Sequence, residues 1–368
     1  VTPLSEKIDK VATWLQDGGN TLAFIADPTN VFYLTGFKCN PHERFLGLFV
    51  FPEADPFLLC PELEVAKAKA SAFNRVIVGY RDDQNPWTFV NRELKKRSIL
   101  SGPIAIEPST LPYQKTIALK TMYPDASFVS IEPLLSAMRR VKDATELAAM
   151  KQAGQIADYA VGLGVEAIKK GRTELAIIAE IEHELAKHGY SEMAFETMVL
   201  TGENSAAPHG VPGTRQIKEG DFVLLDLGVV IDGYCSDITR TVGYKYVSDE
   251  QRKIYATALK ANIEAIKSVH EGMRIGDLDG VARKIITDSG YGEFFTHRVG
   301  HGLGLGEHEE PSMSADNNRQ LEVGMVFTIE PGIYVPGVGG VRIEDDVYLG
   351  PDGPMTLTHY PKKLQIIH

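Results

Sequence analysis

Four carboxylates in this chain stand where β-structure would bury them. Asp226 ends the apolar run Phe222-Val223-Leu224-Leu225, and Glu330 follows Val326-Phe327-Thr328-Ile329. Each lies six positions after a glycine, Gly220 and Gly324. Beyond a turn comes a second acid: Asp237 in Ser236-Asp237-Ile238-Thr239-Arg240-Thr241, and Glu344 in Val341-Arg342-Ile343-Glu344-Asp345. His301 falls between the two pairs. An acid inside an apolar strand is costly unless it is paired or bound to metal. Asp232-Gly233 is a hairpin signal, and Pro336-Gly337-Val338-Gly339-Gly340 is a glycine-rich turn. The spacing therefore predicts that the acids of each pair lie close together across two strands. A single pair would be explained by a salt bridge to Arg240 or Arg342. The doubled arrangement points to a two-metal site.

Asp226, Asp237, His301, Glu330 and Glu344 form a hard donor set without thiolate. Such a set favours Mn2+, with Co2+ or Zn2+ as alternatives. Two ions sharing carboxylates sit about 3.5–4 Å apart and hold a hydroxide that is nucleophilic at neutral pH. The matching reaction class is hydrolysis. His209, in Ala207-Pro208-His209-Gly210, and His308, in His301-Gly302-Leu303-Gly304-Leu305-Gly306-Glu307-His308, each precede an acid-bearing strand of their half. Their expected task is to hydrogen-bond a substrate carbonyl and its developing oxyanion.

The elements that position these residues repeat. Glu166-Ala167-Ile168-Lys169 recurs as Glu264-Ala265-Ile266-Lys267, Arg172-Thr173-Glu174-Leu175 as Arg274-Ile275-Gly276-Asp277-Leu278, and Gly189-Tyr190 as Gly290-Tyr291. Three ordered matches at near-constant offset imply a duplicated helix-helix-hairpin unit with its acids converging at the centre. Helices are expected over 143–169 and 173–188, the first opened by Asp143 and Glu146 as a capping box. Before them, short apolar runs at 21–26, 46–51, 56–60, 76–80 and 104–107 read as strands, with helices at 63–72 and 86–96. The expected architecture is α+β, an α/β domain over 1–130 followed by a catalytic domain over 131–368.

A chain of 368 residues, 43% hydrophobic and 24% charged, is that of a globular protein of two domains. A formal charge of -11 without a Lys/Arg run argues against nucleic acid as a partner. Cys39, Cys60 and Cys235 are sparse and odd in number, which suggests reduced thiols and a cytoplasmic home. The first residues show no basic-then-apolar signal segment, and no apolar run is long enough for a membrane span.

Leu224-Leu225-Asp226-Leu227-Gly228 with Ser236-Asp237-Ile238-Thr239-Arg240-Thr241, Gly300-His301-Gly302-Leu303-Gly304 with His308-Glu309-Glu310-Pro311, Thr328-Ile329-Glu330-Pro331-Gly332, and Val341-Arg342-Ile343-Glu344-Asp345 resemble the pita-bread dinuclear metallopeptidases. The resemblance covers essentially the whole chain. It implies that one ion is held by Asp226, Asp237 and Glu344, and the other by Asp237, His301, Glu330 and Glu344, with Asp237 and Glu344 bridging. It also implies that His209 and His308 are catalytic and that Glu330 shuttles a proton. Thr239 and Arg342 are expected to brace the ligands from the same strands. The segment Asp27-Pro28-Thr29-Asn30-Val31-Phe32-Tyr33-Leu34-Thr35-Gly36-Phe37 looks like the creatinase-type amino-terminal domain of the proline-specific branch. Creatinase shares that fold but lacks the ligands. Length favours the shorter Xaa-Pro dipeptidases of bacteria. One departure is Gly306-Glu307-His308, where close relatives often have an acid followed by Val. It touches no ligand and bears on the substrate pocket.

The leading expectation is a homodimeric Xaa-Pro dipeptidase acting on proline-containing dipeptides. An Xaa-Pro aminopeptidase acting on longer peptides is the alternative. A non-catalytic scaffold on this fold typically loses ligands, whereas this chain has all five. A free dipeptide carboxylate needs a cationic anchor, and Arg298 in His297-Arg298-Val299-Gly300-His301 is the candidate, with a structural ion pair as the competing role. The loop 38–44 reads as solvated, or as reaching a neighbouring pocket.

Overall fold

The computed structural model describes residues 3–99 and 101–368. It divides into two compact units, Val1–Met138 and Arg139–His368. The division falls later than the 130/131 boundary expected above. Ile131 donates to the Ile106 carbonyl at 3.0 Å and carries the next helix, Glu132–Arg140, along with it.

The first unit is a six-stranded mixed sheet with helices. Its order is Val76–Tyr80, Phe57–Pro61, Gly47–Val50, Leu22–Ile25, Ile104–Ile106 and Phe128–Ser130. The strand Val76–Tyr80 and the helix Pro86–Lys96 match the expected ranges. The helix expected over 63–72 is instead a 3-10 turn, Glu62–Glu64, continued by Val65–Ala70. Helices Pro3–Asp17 and Pro28–Thr35 have no counterpart in the sequence reading. The second begins where Asp27 accepts from the Asn30 amide and Pro28 presets the first turn. It ends at Gly36, whose φ of 70° suits a residue without Cβ.

The second unit holds two helix pairs, a four-stranded and a five-stranded sheet, and two short two-stranded ribbons. The helices Ala144–Ala167 and Glu174–Lys187 serve the first half, and Asp249–Ser268 and Ile275–Asp288 the second. Asp143 and Glu146 close the capping box. Phe222–Leu227 pairs antiparallel with Ile238–Tyr244, and Val326–Ile329 with Asp345–Gly350.

Strand alternation decides which side chains meet. Val223, Leu225, Leu227, Ile238 and Val242 pack into an apolar cluster with Ala157, Val161 and Val165 of the first long helix. Gly164 of that helix permits the approach, because a Cβ there would meet Leu225 Cδ2 at 2.3 Å. Asp226, Asp237, Thr239 and Thr241 consequently share the opposite face. In the second half, Phe327, Ile329, Val347 and Leu349 cluster with Ala258, Ala261 and Ala265. Thr328, Glu330, Glu344 and Asp346 take the other face.

Hydrogen bonds and an ion pair join the two halves. The Glu344 amide donates to the Thr239 carbonyl at 3.1 Å, and the Asp237 amide donates to Asp346 Oδ2 at 3.0 Å. Arg240, 1% exposed, donates to the Glu344 carbonyl and pairs with Asp345 at 2.8 Å.

Candidate active site

The four acids, His301, His209, His308, Arg298 and Arg342 all line one cavity of about 500 Å³ in the second unit. The register refines the expected geometry. Asp226 lies opposite Thr239 rather than Asp237, so the two aspartates are diagonal neighbours on one face. Glu330 and Glu344 stand at the break between two ladders. Ile329 pairs with Asp345 on one side of the break, and Gly332 pairs with Arg342 on the other.

Donor atoms of Asp237, His301 and Glu344 all lie within 4.8 Å of one another. His301 Nε2 is 3.6 Å from Asp237 Oδ2 and 3.4 Å from Glu330 Oε1. Its Nδ1 lies 3.1 Å from the Gly302 carbonyl, so the neutral ring donates there and leaves the Nε2 lone pair toward the acids. Burial first, and then the neighbouring His308, push the His301 pKa down to about 3, which keeps that lone pair free. Thr239 donates its hydroxyl to Glu344 Oε2. Arg342 donates from Nε to Thr239 Oγ1 at 3.1 Å and from a terminal nitrogen to Asp226 Oδ2.

Burial and mutual repulsion raise Asp237 and Glu344 well above the usual carboxylate range. Burial pushes Glu330 up to about 7 despite Arg342, with Asp226 adding to the rise. Asp226 Oδ1 is buried with no hydrogen-bond partner among the described residues. A crowd of buried carboxylates, one orphaned oxygen and a neutral imidazole lone pair is a donor set that fits divalent cations.

The His308 ring lies against His301, tilted by 58° with centroids 4.0 Å apart, and His209 reaches the cavity from an exposed loop. Arg298 donates to Ser312 Oγ at 3.0 Å and forms no salt bridge among the described residues.

Sequence reasoning missed several wall residues. His297 Nε2 is 2.9 Å from the Tyr334 hydroxyl, which also accepts from Arg342 at 2.9 Å. Burial, then Arg342, lower His297 to about 4. Phe195 and Met198 supply an apolar wall. Tyr334 shared the alternation of its strand with the acids. Phe195 and Met198 carried no local signal.

Residues 148–351 match the model of metallopeptidase family M24, and residues 7–141 match the creatinase/prolidase N-terminal domain. The chain belongs to metallopeptidase family M24. It is 50% identical over 361 residues to a provisionally named dipeptidase of Bacillus subtilis strain 168, covering 98% of this chain and 99% of that one. It is 42% identical over 362 residues to an Xaa-Pro dipeptidase of Lactobacillus delbrueckii subsp. lactis, covering 98% of each. The solved Xaa-Pro dipeptidase of Bacillus anthracis superposes with a TM-score of 0.92 at 32% identity, over 99% of this chain and 100% of that one. This M24 chain is a metallopeptidase, with the creatinase-type domain and the pita-bread catalytic domain in that order.

Proposed function

We propose that the chain hydrolyses Xaa-Pro dipeptides. The observation that carries this reading is the convergence of Asp226, Asp237, His301, Glu330 and Glu344 on a cavity whose wall also holds Arg298. These five residues would hold two divalent cations, which when bound generate a nucleophile from water at neutral pH. His209 and His308 donate hydrogen bonds to the substrate carbonyl as negative charge grows on its oxygen. Proline presents a tertiary amide with no N–H. Its nitrogen must be protonated as it leaves, and Glu330 carries that proton. Arg298 meets the free carboxylate of the dipeptide, a charge-assisted contact that a longer peptide would not offer. Thr239 and Arg342 keep Glu344 and Asp226 in place.

Finer points follow as proposals of the same kind. The oxygen-rich donor set supports Mn2+ as the native ion, with Co2+ or Zn2+ as substitutes. Three free, buried thiols support a reducing cytoplasm, and no helix among the described residues is long and apolar enough to cross a membrane. The first unit, which contributes no metal-ligand group of its own among the described residues, supports a homodimer in which it serves assembly. Sedimentation of the active enzyme tests that point.

The deciding experiment compares Xaa-Pro dipeptides with Xaa-Pro-Xaa tripeptides after chelation and reloading with Mn2+, Co2+ or Zn2+. Dipeptide turnover restored by metal, with tripeptides poor, is expected. Arg298→Ala should raise KM for dipeptides more than it lowers kcat. Equal turnover of tripeptides would replace the dipeptidase reading with that of an Xaa-Pro aminopeptidase.

A further inference from the structure

One carboxylate of the cavity wall has no part in the site described so far. Glu307 lines the cavity with Phe195 and Met198. It lies outside the donor group of Asp237, His301 and Glu344. Two residues on, Glu309 illustrates a structural acid in the same loop. Arg139 pairs with it, Lys142 Nζ is 3.6 Å from its Oε2, and the Gly306 amide donates to its Oε1 at 2.8 Å. The Glu307 side chain makes no ion pair or hydrogen bond among the described residues. The clamp on Glu309 therefore holds the loop, and Glu307 is offered to the cavity from a fixed backbone.

Charge and shape together limit what it can meet. Two divalent cations would balance the four ligand carboxylates. Glu307 is then the remaining anion of the wall, while Arg298 is taken by the dipeptide carboxylate. A cation of the substrate is the partner that binding in the cavity can bring to the half-buried Glu307. The α-ammonium is one carbon from the carbonyl under attack, so it is confined to the neighbourhood of the donor group. A lysine or arginine side chain instead carries its charge at the end of an apolar stem. Such stems lie along apolar surface while the charged head reaches a polar group. Phe195 and Met198 provide apolar surface in the same cavity.

We infer that Glu307 selects dipeptides whose first residue is cationic, its carboxylate meeting the side-chain charge of Lys-Pro or Arg-Pro while Phe195 and Met198 cover the methylenes. The inference rests on the Xaa-Pro reading above and adds its substrate class.

The test measures kcat/KM for Lys-Pro, Arg-Pro, norleucyl-Pro, Leu-Pro and Glu-Pro with metal-loaded wild type, Glu307→Gln and Glu307→Arg, with bound metal assayed in each. Wild type should prefer Lys-Pro over norleucyl-Pro, its uncharged counterpart, and added salt should narrow the gap. Glu307→Gln should lower the Lys-Pro to norleucyl-Pro ratio by about tenfold, the scale of one hydrogen bond to a charged group. Glu307→Arg should shift preference toward Glu-Pro. A uniform loss across substrates, or a fall in bound metal, would overturn the inference by making Glu307 an α-ammonium contact or a ligand. Leu-Pro turnover without cationic preference would overturn it while leaving the Xaa-Pro reading intact. No turnover of any Xaa-Pro dipeptide would remove both.

Discussion

Glu344 and Asp345 are adjacent, and both are buried, at 2% and 0% exposure, yet their surroundings differ in sign. Strand alternation turns Glu344 toward Glu330, Asp226 and Asp237. It turns Asp345 toward Arg240 at 2.8 Å and Lys362 at 2.7 Å. Burial drives both pKa values up. At Asp345 the two cations outweigh burial and hold the carboxyl below its usual range, whereas at Glu344 the neighbouring acids add to the rise. Depth alone therefore does not mark a functional acid. Between these two neighbours the difference is the counter-charge: Glu344 sits among other acids, and such a group is stable in its charged form only when something else brings the opposite charge.

The strongest test of the contrast is Glu344→Gln. Activity and bound metal should both be lost, as shown by turnover and metal analysis. The metal-free variant should melt no lower than the metal-free wild type, because one member of a repelling group has been neutralised. A lower melting temperature would place Glu344 among structural acids with Asp345.

Asp345→Asn should behave in the opposite way. It leaves Arg240 buried without its anion and should cost about 3–5 kcal/mol in urea unfolding. The molecules that remain folded should still bind metal.

His209→Ala and His308→Ala sharpen the boundary of the charged group. Each should lower kcat by about 10²–10³, the effect of losing an oxyanion donor, with metal content close to wild type. Loss of metal in either variant would make that histidine a ligand.

The smallest expected effect is a pH dependence that separates the two acids without mutation. Glu330 titrates at about 7 in the folded, metal-free chain against an ordinary value of 4.5. Between these values the folded state binds a proton that the unfolded state has released, so stability falls as pH rises through the window. Asp345 runs the other way, its contribution being present above its ordinary 3.8 and lost as pH falls. Above pH 6.5, where the buried His297 and His301 are neutral in both folded and unfolded states, melting temperatures of metal-free protein should decline through the upper part of the Glu330 window, and metal should abolish the decline.

The catalytic half was legible because its message is repeated. Acids in apolar strands, a Gly six residues before each, and helices at matched offsets gave two independent views of one arrangement. Residues that act singly were harder to find. Phe195, Met198 and His297 join the cavity through contacts between distant segments, and no local period announces them. Tyr334 looked like any strand aromatic until its hydroxyl met Arg342. In the first unit, the helix Pro3–Asp17 carried a readable stripe, Ile8, Val11 and Leu15, all buried. The helix Pro28–Thr35 did not. Val31, Phe32 and Tyr33 favour strands, and only Asp27, Pro28 and Gly36 at its ends specify a helix.

The bonds that join the two halves, from the Glu344 amide to Thr239 and from the Asp237 amide to Asp346, also set an order of events in the cell. Asp226 and Asp237 leave the ribosome long before Glu330 and Glu344 are made. While the nascent chain holds only the first pair, the remaining ligands do not exist, and loading with ions has to wait for translation to pass Glu344. Until then the first hairpin carries buried acids without compensation. Uptake of metal is therefore the last event in the maturation of the chain, because the second hairpin must be in place before all five donors converge.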